Sequence, residues 1–382
     1  MPRLDRFAIA ILTASLPFRL LLALATDLTP DEAYYLSATR LGVTVPDHPP
    51  LTVWLLAASD RLPAACPIEL RTRLPSLLLG TLVAALVVDL VRRRGGTSHA
   101  QRWAAIFGSW LILPLAGGFL ATPDAPAFLA AVALLHAEEQ RSNPGAAATA
   151  ALATFGGLIG KVILAPIALV FILFSRRGWM HKVAILLGLI AASPLCLRSF
   201  RFQLVHAYSP LAWSIPAVGV ALGAAVAAQV GLWTPVVPFV GLRRSLWERP
   251  VDRALALALT ALFLGSALIR AVPPEPNWIA PAWSAVIVAA SLGMPAASSL
   301  VRRAAIALGP VLAVVLSTHA IQPWLPIARS KDPSARLHGW STGQEGNESI
   351  PGVGAYGPAA ERCVYRGECK NISEYFRDFT AE

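Results

Sequence analysis

Two adjacent carboxylates, Asp31 and Glu32, stand in the run Thr29-Pro30-Asp31-Glu32-Ala33-Tyr34-Tyr35, and a second polar run, Asp47-His48-Pro49-Pro50, follows. A carboxylate beside a hydroxyl can take its proton as general base, and a neighbouring acid can orient it or bind the acceptor. Asp31 is the candidate base and Glu32 its partner. Further on come Asp124 in Thr122-Pro123-Asp124-Ala125-Pro126, Lys161 in an otherwise apolar run, His206 in a loop, and Asn277 with Trp278 in Glu275-Pro276-Asn277-Trp278. Lys161 and Arg73, with Arg270 as a further candidate, are cations that could hold a phosphate whose negative charge grows as a bond to it breaks. Each feature also has a plainer reading. Pro30 and Asp31 could simply begin an interfacial helix, Asp-His-Pro-Pro could be a rigid turn, Lys161 could snorkel to the surface, and Trp278 could belong to an interfacial belt.

The elements that must position these residues are apolar. Of 382 residues, 55% are hydrophobic and 14% charged, against about 25% charged in a soluble chain. That composition excludes a disordered chain and, with long apolar stretches recurring along it, predicts a polytopic membrane protein. About eleven spans of roughly membrane length are expected, over 7–26, 74–91, 103–121, 126–137, 146–160, 161–174, 183–197, 216–241, 254–271, 280–298 and 304–321. Gly156, Gly157 and Gly160 suggest close packing or a break in the middle of this series. The reading is an all-α helical bundle, residues 1–321, with interfacial helices in a first outer loop at about 27–72 and a small non-cytoplasmic tail at 322–382.

The net charge of +10, from 32 basic and 22 acidic residues, does not mark a nucleic-acid binder, because the arginines lie in short clusters between apolar segments. With the N-terminus inside, Arg92–Arg94 and Arg102, Arg141, Arg176–Arg177 with Lys182, Arg243–Arg244 with Arg249 and Arg253, and Arg302–Arg303 all fall on the inner side, as the positive-inside rule requires. Under an orientation set only by arginines, Asp31, Glu32, Asp47, His48, Asp124, Lys161, His206 and Asn277 share the outer face. A lysine at a helix centre costs about 2.5–3.5 kcal/mol on insertion scales, so Lys161 should face a polar cavity or the surface.

The ordered motifs Asp-Glu-Ala-Tyr-Tyr (31–35), Asp-His-Pro-Pro (47–50), Arg-Leu-Pro-Ser (73–76), Thr-Pro-Asp-Ala-Pro (122–126), Gly-Lys (160–161), Pro-Asn-Trp-Ile-Ala-Pro-Ala (276–282) and Asp-Pro-Ser-Ala-Arg-Leu-His-Gly-Trp (332–340) resemble those of bacterial GT-C class integral-membrane glycosyltransferases. That group includes the lipid A aminoarabinose transferase and the protein O-mannosyltransferases. Leu36-Ser37 stands where relatives carry a Trp-containing stretch. The resemblance implies transfer of a sugar from a polyprenyl-phosphate donor to a lipid, glycan or protein acceptor, at the periplasmic face of a bacterial inner membrane, with Asp31 at the reaction centre. Asp47, His48 and Asp124 could then bind sugar hydroxyls or order the loop. A divalent ion between carboxylates is possible, though no metal-ligand spacing demands one. Cys363 and Cys369 flank a short polar loop on the oxidising side, where a disulfide is expected. A transporter or lipid flippase is the competing reading; it predicts charges near mid-membrane on broken helices and internal repeats, and no repeat is visible.

Overall fold

The computed structural model describes residues 3–45, 47–208, 213–242, 248–342 and 356–381, with backbone alone at 206–208, 330 and 378–381. It is 78% helical with no strand among the described residues. Helix α1 (Arg6–Ala25) begins where Asp5 accepts hydrogen bonds from the Phe7 and Ala8 amides. Helix α2 (Pro30–Leu41) is bounded by local chemistry at both ends: a Thr29–Glu32 capping box with Pro30 at the start, and Gly42 in the left-handed region at φ 66° at the end. Then follow α3 (Leu51–Ser59), α4 (Ile68–Arg93), α5 (Ser98–Ser109), α6 (Ile112–Gly117), α7 (Asp124–Glu139), α8 (Asn143–Leu158), α9 (Leu164–Phe174), α10 (Trp179–Tyr208), α11 (Ile215–Trp233), α12 (Val236–Gly241) and α13 (Pro250–Arg270). A 3-10 segment, Pro276–Ala282, leads into α14 (Trp283–Gly293), and α15 (Ser299–Ile306) passes through a π-helical turn into α16 (Leu312–Ile321). Two tail helices, α17 (Tyr356–Arg366) and α18 (Lys370–Ala381), end the chain.

Among the described residues seven helical stretches are long and apolar enough to cross a membrane. They are Arg6–Ala25, Ile68–Arg93, Trp179–Val205, Ile215–Trp233, Pro250–Arg270, Pro276–Ala296 and Ser299–Ile321. The spans expected at 103–121, 126–137, 146–160 and 161–174 correspond instead to the shorter helices α5 with α6, α7, α8 and α9. Glycine is why these short helices fit. A Cβ on Gly157 would sit 2.4 Å from the Ala130 Cβ, so α8 lies directly on α7, and one on Gly160 would meet Pro126 at 2.9 Å. The break between α8 and α9 falls at that point and leaves Lys161 outside a helix.

Arginines of the clusters between the apolar segments are ion-paired. Arg94 joins Glu139 at 3.1 Å to Asp252 at 2.5 Å, tying the ends of α4 and α7 to the start of α13, and Arg249 also pairs with Glu139. Arg92 and Arg93 pair with Asp89, and Arg102 with Asp5. Arg243 and Arg244 lie outside the described residues. At the opposite end the tail packs onto the first outer loop: Leu28, Tyr34, Tyr35, Leu36 and Leu56 share one buried cluster with Ala360, Cys363, Val364, Ile372 and Phe376. Cys363 and Cys369 are bridged, as expected, which fixes α17 to α18.

Candidate active site

Thr29 caps α2 and Pro30 occupies its first turn, so Asp31 and Glu32 leave the helix start in different directions. Asp31 keeps a third of its side-chain surface exposed. Its Oδ2 accepts from Arg336 Nη2 at 2.7 Å and its Oδ1 from the Tyr356 hydroxyl at 2.5 Å, both groups belonging to the tail. Burial, together with the adjacent Asp31 carboxylate, pushes the Tyr356 hydroxyl well above its usual range, so it stays a donor.

Glu32 turns inward and is fully buried. Its Oε1 accepts from Arg73 Nε at 2.9 Å and the Ala121 amide at 2.9 Å; its Oε2 accepts from Arg73 Nη2 at 2.8 Å and the Thr29 amide at 2.8 Å. Burial disfavours the Glu32 carboxylate, but Arg73 and these hydrogen bonds outweigh it and hold the acid below its usual range. Arg73 is equally buried. Its Nη1 donates to the Ala23 and Thr26 carbonyls, each at 2.9 Å, and Nη2 also to the Asp27 carbonyl at 2.6 Å. Every N–H of Arg73 is thus engaged, and none is left for a substrate phosphate.

Tyr356 and Tyr34, ring against ring, lead from Asp31 toward Asp47. The Tyr34 hydroxyl donates to Asp47 Oδ1 at 2.9 Å, and its ring lies 4.9 Å from that of Tyr356. Gln203, near the end of α10, donates to the Asp47 carbonyl at 2.7 Å. His48 packs edge-on to Tyr35 at 5.8 Å, and its Nδ1 is buried without a partner. Beside this lies the second group that the sequence placed on the outer face. Lys161 Nζ donates to Asp124 Oδ1 at 2.5 Å, while Asn277 Nδ2 and the Thr122 hydroxyl donate to Asp124 Oδ2 at 2.8 and 3.0 Å. The Leu51 amide bonds the Ile159 carbonyl at 3.0 Å, which fastens the Lys161 loop to the first outer loop.

Lys161 also lines a cavity of about 500 Å³ whose other walls are mostly apolar, among them Ile163, Phe200, Leu204, Leu259, Phe263 and Trp278. Gln203 lines it too, so the Asp47 loop and the cavity share one residue. The Trp278 indole donates to Glu275 at 3.1 Å, which turns the ring along the cavity wall. The structure therefore brings Asp124, Lys161 and Asn277 together and links Asp31 to Asp47 through tyrosines. His206, expected in a loop, lies instead in the last turns of α10, which continues past the expected span, its side chain outside the described residues. Arg336 and Tyr356 were not singled out from the sequence as site residues; the motif containing Arg336 was visible, whereas nothing local marks Tyr356. For a divalent ion, no group of three or more His, Cys, Asp or Glu side chains converges among the described residues.

A family model described as dolichyl-phosphate-mannose-protein mannosyltransferase matches residues 47–197. Among solved structures, ArnT from Cupriavidus metallidurans in the apo state is similar with a TM-score of 0.59, at 16% identity, over 86% of this chain and 67% of that one. ArnT from the same organism bound to undecaprenyl phosphate is similar with a TM-score of 0.53, at 16% identity, over 82% and 64%. No curated protein sequence matches the chain. The chain has the ArnT fold and spans about two thirds of the length of those structures. The resemblance read from the motifs thus extends to a matching family model and a shared fold.

Proposed function

We propose that the protein is a membrane glycosyltransferase that moves a sugar from a polyprenyl-phosphate donor to an acceptor at the outer face of the membrane. The observation that carries this reading is the presence of both an accessible carboxylate, Asp31, and a lysine, Lys161, set in the wall of an apolar cavity of about 500 Å³. An isoprenoid chain has the chemistry of those walls, and its burial there is favoured by the hydrophobic effect. Lys161 spends one N–H on Asp124 and can turn the others to the donor phosphate. The match to a mannosyltransferase family model and the ArnT fold support the same reading.

In this reading the acceptor hydroxyl attacks the anomeric carbon as the bond from that carbon to the phosphate oxygen breaks. The hydroxyl proton passes to Asp31, and the polyprenyl phosphate leaves with the electron pair. Lys161 stabilises the growing phosphate charge, while Asp47 and His48 face the sugar. Asn277 holds Asp124, which in turn positions Lys161, and Trp278 guides the chain. Glu32 and Arg73 are the frame of the first outer loop, not its reactive groups.

The test is sugar transfer by protein in lipid nanodiscs, with radiolabelled polyprenyl-phosphate sugars and a membrane extract as acceptor. Asp31→Asn should cut kcat by about 10²–10⁴-fold, the usual worth of a general base. Lys161→Met should raise KM for the donor. Transfer at the wild-type rate by Asp31→Asn would remove Asp31 from the mechanism. Transfer by neither protein from any donor, together with substrate uptake into liposomes, would replace the reading by a transporter.

A further inference from the structure

The segment from Asp332 to Trp340 has no part in the transfer as described, yet it is tied down along its length. Asp332 accepts from His319 Nε2 at 3.0 Å, while the other nitrogen of that imidazole accepts from the Trp324 and Leu325 amides. The Asp27 amide donates to the Leu337 carbonyl, and Asp27 Oδ2 accepts from the Trp340 amide, both at 2.9 Å. The Trp340 indole donates to the Arg336 carbonyl at 3.0 Å. Backbone position is therefore fixed around Arg336, and the side chain alone is free to choose its partner.

That side chain is underused where it stands. Only Nη2 bonds Asp31, and Nε is buried with no partner. A guanidinium satisfies a phosphate or carboxylate best through two parallel N–H bonds, so a single contact leaves it ready for a better ligand. Meanwhile the leaving phosphate needs more positive charge than it has been assigned. The donor phosphodiester carries one negative charge and the departing monoester about 1.5–2. Lys161 is already paired with Asp124, and Arg73 has no N–H to offer.

We propose that Arg336 is a donor-phosphate ligand parked on Asp31 while the site is empty: when the polyprenyl phosphate arrives, the guanidinium exchanges the carboxylate for the phosphate and leaves Asp31 unpaired as base. The proposal rests on the transfer reading above. Tyr356 remains on Oδ1 throughout and holds the carboxylate in place, so the oxygen vacated by Arg336, Oδ2, is the one that takes the proton. Charging the site with donor and arming the base thereby become one event, and in the empty enzyme both carboxylate oxygens are held by tail residues.

The test is the affinity of polyprenyl phosphate for the full-length protein in nanodiscs, by a direct binding titration of wild type, Asp31→Asn, Arg336→Gln and the double variant. Asp31→Asn releases Arg336 and should bind about threefold to fivefold tighter, the upper range for a half-exposed ion pair. Arg336→Gln should bind about tenfold weaker, as loss of a charge-assisted contact predicts. The double variant should bind as Arg336→Gln does, because the gain from Asp31→Asn exists only while Arg336 is present. If Asp31→Asn tightens binding equally in the Arg336→Gln background, the effect is plain charge repulsion and the exchange is overturned while the transfer reading stands. Wild-type affinity in Arg336→Gln would overturn it as well. Absence of binding by wild type would remove the exchange and the transfer reading together. If Arg336→Gln lowers thermal stability, Arg336→Lys serves in its place: it keeps the charge but not the fork, and should weaken binding by less than Arg336→Gln would.

Discussion

Glu32→Gln is the sharpest single test of how the first outer loop is held. The substitution keeps shape and volume and removes one acceptor oxygen and one charge. The Glu32 carboxylate accepts four hydrogen bonds, two on each oxygen: Arg73 Nε and the Ala121 amide on Oε1, Arg73 Nη2 and the Thr29 amide on Oε2. Whichever oxygen becomes an NH2, two buried donors are left facing a donor. Each costs about 1–3 kcal/mol, so about 2–6 kcal/mol is lost, which agrees with about 3–5 kcal/mol for breaking a buried ion pair from one side. Thermal unfolding in nanodiscs should show a fall on the order of 10 °C. The double change Glu32→Leu with Arg73→Met removes both charges but leaves the Thr29 and Ala121 amides and the carbonyls of 23, 26 and 27 without partners, so it should not recover the loss. An unchanged unfolding temperature in Glu32→Gln, with weakened donor binding only, would refute the structural role and return Glu32 and Arg73 to the substrate.

Three further outcomes follow from the same packing and charge arrangement. Gly80→Ala puts a Cβ 2.4 Å from the Gly118 Cα and should destabilise by about 1–3 kcal/mol, whereas Gly219→Ala, with nothing within 4 Å, should be neutral or gain up to about 1 kcal/mol in thermal unfolding. Opening the Cys363–Cys369 bridge by a double Ser replacement should loosen α17 and α18, cost about 2 kcal/mol and expose Tyr356 to faster hydrogen exchange around it. Burial opposes the Glu32 charge, yet Arg73 lowers its folded pKa below the usual 4.5, so its contribution to stability is complete above that pH and lost as pH falls through the folded value. Acid titration of stability should therefore steepen below about pH 4.5 in wild type, and that portion should be missing in Glu32→Gln.

Much of the architecture was legible because it rests on patterns that repeat locally. Apolar runs marked the long helices, and the arginine cluster Arg92–Arg94 marked where α4 stops. The grouping of Asp124, Lys161 and Asn277 on one face also followed, and the structure adds that they touch. Short helices such as α7 and α8 were legible as apolar runs, but not their length, since Gly157 lets them pack closely without filling a span. Side-chain occupation was not legible. Arg73 looks like a free cation in sequence, and only the fold shows that carbonyls of 23, 26 and 27 and the Glu32 carboxylate consume it. Nor does any local signal join Asp31 to Arg336 and Tyr356, because pairing across hundreds of residues leaves no periodicity to read.

The long reach of those contacts sets a timetable for the molecule. Arg336 and Tyr356 reach Asp31 across 305 and 325 positions, and Tyr365 reaches the Leu28 amide across 337. At about 5–20 residues per second of synthesis, roughly 15–60 s pass between emergence of Asp31 and emergence of Arg336. During that interval the early helices can enter the membrane while the loop carrying Asp31 waits without its tail partners. A chain arrested before residue 336 would be inserted, yet its acid would lack both groups that orient it. Synthesis of the segment from Arg336 to Tyr365 is thus the moment at which this loop acquires its final form.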